Sequence, residues 1–157
     1  MIKKEDIQTL IPHRGKMLLL SNIIDYNPDE PSLTAEYHIT EDCLFFNGAV
    51  GGVPAWAAFE CIAQAFSALS GIRGRQTGES SALASGVKPK IGFILSVSKM
   101  QIFIPVIKPG STIVIKVKEL DNIDLVSDFY GTIFLEDTKV LEGKITVMAA
   151  NEGELIE

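Results

Sequence analysis

The chain has 157 residues, 46% of them hydrophobic, and a formal net charge of −6 at pH 7. These values fit one globular domain and exclude a disordered chain, and the acidic balance argues against nonspecific nucleic-acid binding. The two cysteines, Cys43 and Cys61, lack the spacing of a metal site, and the N-terminus shows no hydrophobic signal region. We therefore expect a cytoplasmic protein with reduced thiols and no bound metal.

The first third of the chain predicts a short helix followed by a β-hairpin. Residues 1–12 have the apolar spacing of a helix, which Pro12 would end. Residues 17–26 and 32–39 have the hydrophobic patterns of strands, and a turn cluster separates them. We expect these two strands to pair, and a glycine-containing loop over residues 40–53 to follow them.

The longest helix signal lies over residues 54–71. Pro54 suits the first turn of a helix, and Gly71 suits its C-terminal cap. The segment is apolar almost all round, which predicts burial on several sides, and its polar residues argue against a membrane span. Glu60 and Gln64 lie one turn apart on the same face. A carboxylate in apolar surroundings suits acid–base chemistry, and the alternative is a structural glutamate satisfied by a neighbour.

Strands dominate the rest of the chain. Residues 73–86 predict a loop, strand patterns follow at 91–105, 111–119, 125–135 and 140–148, and residues 151–157 form an acidic tail. One long apolar helix among about six strands predicts a single domain over residues 1–157 with an α+β fold, in which an antiparallel sheet wraps the helix. The helix face that the sheet leaves open predicts a homodimer, and pairing of edge strands between subunits would protect those edges.

Several motifs, in order along the chain, resemble those of the hot-dog-fold 3-hydroxyacyl-[acyl carrier protein] dehydratases. Residues 10–19, LIPHRGKMLL, resemble the family's LLPHRxPFLL opening, and residues 45–48, FFNG, resemble its FFxGH start. Residues 53–64, VPAWAAFECIAQ, resemble MPGVLxxEAxAQ, with the same six-residue step from Pro54 to Glu60. Residues 105–111 resemble the family's RPVxPGD turn, and residues 143–148 resemble its last strand. The Pro-Ala-Trp variant is similar to a divergent branch, the ApeP-like dehydratase homologues of aryl-polyene pathways.

The resemblance implies a hot-dog fold, a dimer with sites at the subunit interface, and substrates carried on the phosphopantetheine of an acyl carrier protein, without a further cofactor. Such enzymes remove water from a 3-hydroxyacyl thioester with a histidine base, a carboxylate on the central helix of the other subunit, and a backbone N–H at the helix start. Glu60 matches the carboxylate. Ala49 stands where the family has its catalytic histidine, and the loop to Pro54 is shorter than in the family. The family also has a histidine at the position of His13, for which a structural role in the turn and a role as substitute base both stay open.

These patterns define a set of candidate site residues. Glu60 is the main catalytic candidate, and His13 is the candidate substitute base. Between residues 71 and 108, six basic residues stand against one acidic residue, which suits the phosphate of phosphopantetheine or an acidic carrier, the alternative being a solvated segment. The candidates for substrate binding are Gly51, Gly52, Ala55 and Trp56 at the helix start, Gln64 beside Glu60, and the basic residues Arg73, Arg75, Lys88 and Lys90.

Three functions are consistent with these residues. The first, which we favour, is a lyase that dehydrates carrier-linked 3-hydroxyacyl thioesters in fatty-acid or aryl-polyene-type lipid synthesis. The second is a non-catalytic protein that binds acyl carrier protein or supports an active dehydratase. The third is an acyl thioesterase in which the helix carboxylate activates water. The expected assembly is a homodimer or a higher oligomer, with a heterodimer containing a second dehydratase-like subunit as the alternative.

Overall fold

The computed structural model describes residues 1–76 and 91–150, with the side chains at 75–76, 91–93 and 149–150 excepted. A single-turn 3-10 helix lies at Gly15–Met17. The other elements, in chain order, are β1 (Ile2–Lys3), α1 (Lys4–Ile7), β2 (Asn22–Asn27), β3 (Ser32–His38), β4 (Val53–Pro54), α2 (Ala55–Gln76), β5 (Ile91–Ile102), β6 (Val106–Ile107), β7 (Thr112–Ile123), β8 (Val126–Leu135) and β9 (Thr138–Ala150).

Within the described residues, the main sheet has seven strands in the order β1-β2-β3-β7-β8-β9-β5, and strands β4 and β6 form a separate two-stranded sheet. Each pairing in the described part of the chain is antiparallel. The predicted pairing of the first two long strands is confirmed, since β2 and β3 pair across the turn at residues 28–31. The architecture is the predicted α+β fold, with one long helix against an antiparallel sheet.

Helix α2 packs closely on the sheet where two glycines remove side chains. Gly131 on β8 lies opposite Gly143 on β9. A Cβ at Gly131 would lie 2.3 Å from Ile62 Cγ2, and one at Gly143 would lie 2.9 Å from the Phe59 ring. Among the described helices, α2 alone is long and apolar enough to cross a membrane, but 67% of that stretch is buried within the protein. It is therefore the core helix of the fold.

Two helix boundaries differ from the predictions. Helix α1 covers only Lys4–Ile7, because Ile2 and Lys3 pair with β2 instead of continuing the helix. Helix α2 continues past Gly71 to Gln76, so Gly71 is not its cap. A Cβ at Gly71 would lie 2.7 Å from the Leu10 carbonyl oxygen, and the glycine therefore serves close packing of the N-terminal segment on the helix. The predicted acidic tail at 151–157 and most of the predicted loop at 73–86 lie outside the described residues.

Among the described strands, β5 lies at an edge of the main sheet, and several of its apolar side chains are exposed. It pairs with β9 on one side. An edge with free backbone groups and exposed apolar side chains is suited to pairing with another chain. The exposed apolar residues on and just after this strand are Ile94, Leu95, Val97, Met100, Ile102 and Phe103.

Candidate active site

His13 and Glu60 of the same chain meet at the N-terminal half of helix α2. His13 Nε2 lies 3.3 Å from Glu60 Oε1. The two side chains are 24% and 31% exposed, so the pair is partly shielded by protein and still reachable from solvent. The contact brings a titratable ring to the carboxylate although the two residues are 47 positions apart in the sequence.

Gln64 is fully buried and lies one helical turn after Glu60. Its Oε1 accepts a hydrogen bond from the Leu19 backbone N–H at 2.9 Å, and its Nε2 donates to the Met17 carbonyl at 2.7 Å. Nε2 also lies 3.4 Å from Glu60 Oε1, a long contact beside two short ones. Gln64 therefore fastens the segment that follows His13 to the helix that carries Glu60.

The turn around His13 is held mainly through its backbone. Arg14 Nη1 donates to the carbonyls of Ile11 at 2.8 Å and His13 at 2.7 Å. Gly15 has φ +60°, a left-handed conformation that favours glycine, and it starts the 3-10 turn. His13 Nδ1 is buried and has no hydrogen-bond partner among the described residues. The ring can therefore donate Nε2–H to Glu60 and keep its lone pair on Nδ1, since an Nδ1–H would find no acceptor there.

The loop before the helix forms a tight turn around Asn47. The Asn47 carbonyl accepts hydrogen bonds from the N–H groups of Val50, Gly51 and Gly52, and its side-chain Oδ1 accepts one from Ala49. Gly52 is required sterically, since a Cβ there would lie 2.3 Å from the Ile107 carbonyl oxygen. No side chain between residues 47 and 52 can act as an acid or base, because the sequence there is NGAVGG.

The start of helix α2 presents backbone donors. The Ala55 N–H donates a hydrogen bond to the Pro105 carbonyl at 2.8 Å. The N–H groups of Trp56 and Ala57 in the first turn have no intrahelical acceptor by helix geometry, and such groups favour a carbonyl or an anion. Trp56 is well exposed, so it is available to a ligand or to a partner chain. Of the predicted residues at the helix start, Gly51 and Gly52 shape the loop and their N–H groups are already bonded.

Of the four predicted basic residues, the described one, Arg73, does not join the His13–Glu60 pair. Arg73 Nη1 lies 2.6 Å from Glu119 Oε2 on β7 and is used in an ion pair. It also lies 13 residues beyond Glu60, about 20 Å along the helix at 1.5 Å per residue. The Arg75 side chain, Lys88 and Lys90 lie outside the described residues.

Two basic residues beside the His13 turn were not predicted from the sequence. Lys4 and Lys16 line one shallow polar pocket together with Tyr37 and Cys43. Burial, reinforced by a hydrogen bond with Cys43, raises the pKa of Tyr37 well above its usual value. Lys16 lies within the quoted PHRGK motif, so its position next to the histidine was the available signal. Within residues 1–76 and 91–150, no cluster of His, Cys, Asp and Glu has the arrangement of a metal site.

Comparisons with known proteins identify the family of this chain. A family model for the ApeP dehydratases, ApeP-like, matches residues 5–156. The 3-hydroxyacyl-[acyl-carrier-protein] dehydratase FabZ of Chlamydia trachomatis serovar L2 is 32% identical over 115 residues, which cover 71% of this chain and 69% of that protein.

Solved structures show the same fold. A chain of the dehydratase heterocomplex ApeI:P from Xenorhabdus doucetiae superposes with a TM-score of 0.80 at 23% identity, covering 96% of this chain and 94% of the other. The TT0310 protein from Thermus thermophilus superposes with a TM-score of 0.58 at 16% identity, covering 82% and 91%. With the family match over nearly the whole length, the chain belongs to the ApeP-like dehydratase family, a hot-dog-fold group related to FabZ.

Proposed function

We propose that this protein dehydrates 3-hydroxyacyl thioesters carried by an acyl carrier protein, and that His13 and Glu60 of one chain form its acid–base pair. The observation that carries the proposal is the 3.3 Å contact between His13 Nε2 and Glu60 Oε1. It supplies the imidazole that the family chemistry needs, although Ala49 stands at the position of the family histidine.

The reaction needs one group to accept a proton and one to give a proton. The base removes the proton from carbon 2, and the electron pair of that C–H bond forms the double bond to carbon 3. The bond from carbon 3 to oxygen breaks as the acid protonates the hydroxyl, which leaves as water. The helix-start N–H groups of Trp56 and Ala57 stabilise the charge that develops on the thioester oxygen. Because His13 and Glu60 are in contact, the proton gained by the base can pass back to the acid after each turnover.

The test uses two histidine–glutamate pairs within the same chain. His13→Gln and Glu60→Gln are expected to lower kcat for a 3-hydroxyacyl carrier-protein thioester by roughly 10²–10⁴-fold, the usual effect of losing a general acid or base. The matched controls are His38→Gln and Glu36→Gln, because His38 Nε2 lies 3.8 Å from Glu36 Oε1 on the sheet. Both controls should keep wild-type activity.

The outcomes separate the three functions. Formation of the unsaturated thioester, measured by mass spectrometry, supports dehydration. Release of a free thiol without loss of water indicates a thioesterase. Carrier binding with no turnover in the wild-type protein indicates a non-catalytic subunit. Full activity of the Glu60→Gln variant would overturn the assignment of the site.

We further propose that the carrier protein docks beside the pocket that contains Lys4 and Lys16. The two lysines are exposed and line this pocket together with Gly15 of the His13 turn, and they would attract an acidic carrier. Lys16→Glu should raise KM for the carrier-linked substrate and leave KM for a short synthetic thioester unchanged. Lys118→Glu, which alters an exposed lysine on β7, is the control. Equal changes with both substrates would contradict docking at this surface.

The proposed assembly pairs strand β5 with a second hot-dog subunit, either a second copy or a related dehydratase chain. The exposed apolar residues of this edge strand support the proposal. Leu95→Lys should weaken the assembly in light scattering, whereas Leu120→Lys, at a leucine with the same 53% exposure on β7, should not. A monomeric wild-type protein that forms dimers only with a second dehydratase would identify a heterodimer.

A further inference from the structure

We propose that Gln64 is a positioning residue that holds the His13 ring against Glu60 by fixing the backbone of residues 17–19 to helix α2. The inference deepens the proposed function and rests on the His13–Glu60 pair as its working unit. Gln64 touches no reacting atom in this proposal. It acts through the loop that carries His13.

Gln64 forms a clamp, which consists of two short hydrogen bonds to the backbone of residues 17–19. The Gln64 amide is fully buried, accepts from Leu19 N at 2.9 Å and donates to the Met17 carbonyl at 2.7 Å. These backbone groups lie 45 and 47 residues away in the sequence. A planar amide that bonds an N–H and a C=O of the same short segment fixes both its position and its rotation.

His13 depends on this clamp because few hydrogen bonds fix its ring. In the described part of the chain, its Nδ1 has no hydrogen-bond partner, and Nε2 has only the Glu60 contact. The position of the ring therefore depends on packing, since the side chain is largely buried, and on the backbone of its turn. Arg14 holds that backbone on one side through the carbonyls of Ile11 and His13, and the glycine turn at Gly15 follows. Gln64 holds the far side of that turn.

The direct contact of Gln64 with Glu60 is the weaker part of the arrangement. At 3.4 Å it is a poor hydrogen bond compared with the two backbone bonds. The buried leucines at residues 18–20 anchor the same segment by apolar contact, which sets its depth but not its rotation. Loss of the amide should therefore displace His13 while the core stays folded.

The first test is Gln64→Met, which keeps the length of the side chain and removes both backbone bonds. The Leu19 amide should lose its protection from hydrogen exchange, while the amides of strands β8 and β9 stay protected. The kcat should fall by up to about 10²-fold with little change in KM, since a displacement of about 1 Å can have an effect of this size. Ser67→Ala, a polar truncation later on the same helix, is the control.

The decisive measurement is whether the effect requires His13. In a His13→Gln background, Gln64→Met should lower kcat by less than about 2-fold, because residues that act as a unit are not additive. An equal loss in both backgrounds would show that Gln64 does not act through His13 and would overturn the proposal.

A readout without turnover keeps this inference separate from the proposed function. In the His38→Gln variant, His13 is the one histidine left in the chain, so its ring nitrogens can be assigned by NMR. Glu60→Gln should shift the His13 ring signals when Gln64 is present and should leave them nearly unchanged in Gln64→Met. If Gln64→Met does not fold, Gln64→Leu replaces it, since its apolar side chain likewise can neither accept from Leu19 nor donate to Met17. A His13 ring that responds equally to Glu60→Gln with and without Gln64 would refute the clamp even in an inactive protein.

Discussion

Replacing Gly131 by alanine should destabilise the protein, because the new methyl group has no room between strand β8 and helix α2. Its Cβ would lie 2.3 Å from Ile62 Cγ2 and 2.9 Å from Ile62 Cδ1. Carbon atoms in good contact are about 3.5–4.0 Å apart, so the helix or the strand must move by more than about 1 Å. The helix has little freedom to slide sideways, because Phe59 already fills the space above Gly143.

The expected magnitude is the balance of two effects. Overpacking a core costs about 1–3 kcal/mol, and alanine recovers about 0.5–1 kcal/mol of the backbone entropy that glycine loses in a strand. The net loss of unfolding free energy is therefore about 1–2 kcal/mol. For a domain of this length, each kcal/mol lowers Tm by about 2–4 °C, which predicts a decrease of about 2–8 °C.

Urea denaturation followed by circular dichroism, at one fixed protein concentration, measures this loss. Gly48→Ala is the control, since a Cβ at Gly48 would meet only Phe46 Cε1 at 4.0 Å. In an Ile62→Ala background the Gly131→Ala change should become neutral or stabilising, because the new methyl enters the vacated space. If Gly131→Ala destabilises both backgrounds equally, the contact with Ile62 is not the cause.

Three further predictions concern ionisable groups other than His13 and Glu60. Arg73→Met should lower the unfolding free energy, measured by urea denaturation, by about 1–3 kcal/mol. It leaves the Glu119 carboxylate, which is 7% exposed, without its partner at 2.6 Å. In a Glu119→Met background, Arg73→Met should lower the unfolding free energy by less. A hydrogen bond from Lys139 holds the pKa of Glu142 below its usual 4.5. The ionised Glu142 carboxylate therefore stabilises the folded protein above that pH, and this stabilisation is lost as the pH falls. The unfolding free energy of the wild type should decrease more steeply than that of Glu142→Gln from about pH 5 to about pH 3. Burial, with the nearby Glu60 charge, raises the pKa of the Cys61 thiol, so peptide mapping should find it unmodified by iodoacetamide in native protein and modified after unfolding.

The fold could be predicted from the sequence because its sequence signals are local and follow one another along the chain. The long apolar segment, the alternating strands and the spacing from Pro54 to Glu60 each depend on neighbours along the chain. The boundary prediction at Gly71 was wrong for the opposite reason. Glycine marks both a helix cap and a close packing contact, and only the position of Leu10 on the helix distinguishes the two.

Only half of the candidate site could be predicted from the sequence. Glu60 stood out on an apolar helix, but nothing local places the His13 turn against it. That placement depends on the bonds of Gln64 to Met17 and Leu19, which join segments far apart in the sequence. Arg73 shows the converse. It was grouped with an anion-binding segment by local charge, whereas its partner Glu119 lies 46 residues away and becomes adjacent only in the folded sheet.

The proposed role of His13 as the base predicts that restoring the family histidine at Ala49 will not restore activity. The turn at Asn47 closes on itself through several hydrogen bonds, and Ala49 lies exposed at its tip. A histidine introduced there should point to solvent, since Gly52 packs against Ile107 and leaves the loop no room to move inward. His13→Gln is expected to lower kcat by roughly 10²–10⁴-fold. Adding Ala49→His to that variant should raise kcat again by less than about 10-fold. Recovery to near wild-type kcat would mean that this loop reaches a carboxylate across the subunit interface, and that the pair within one chain is not the catalytic unit.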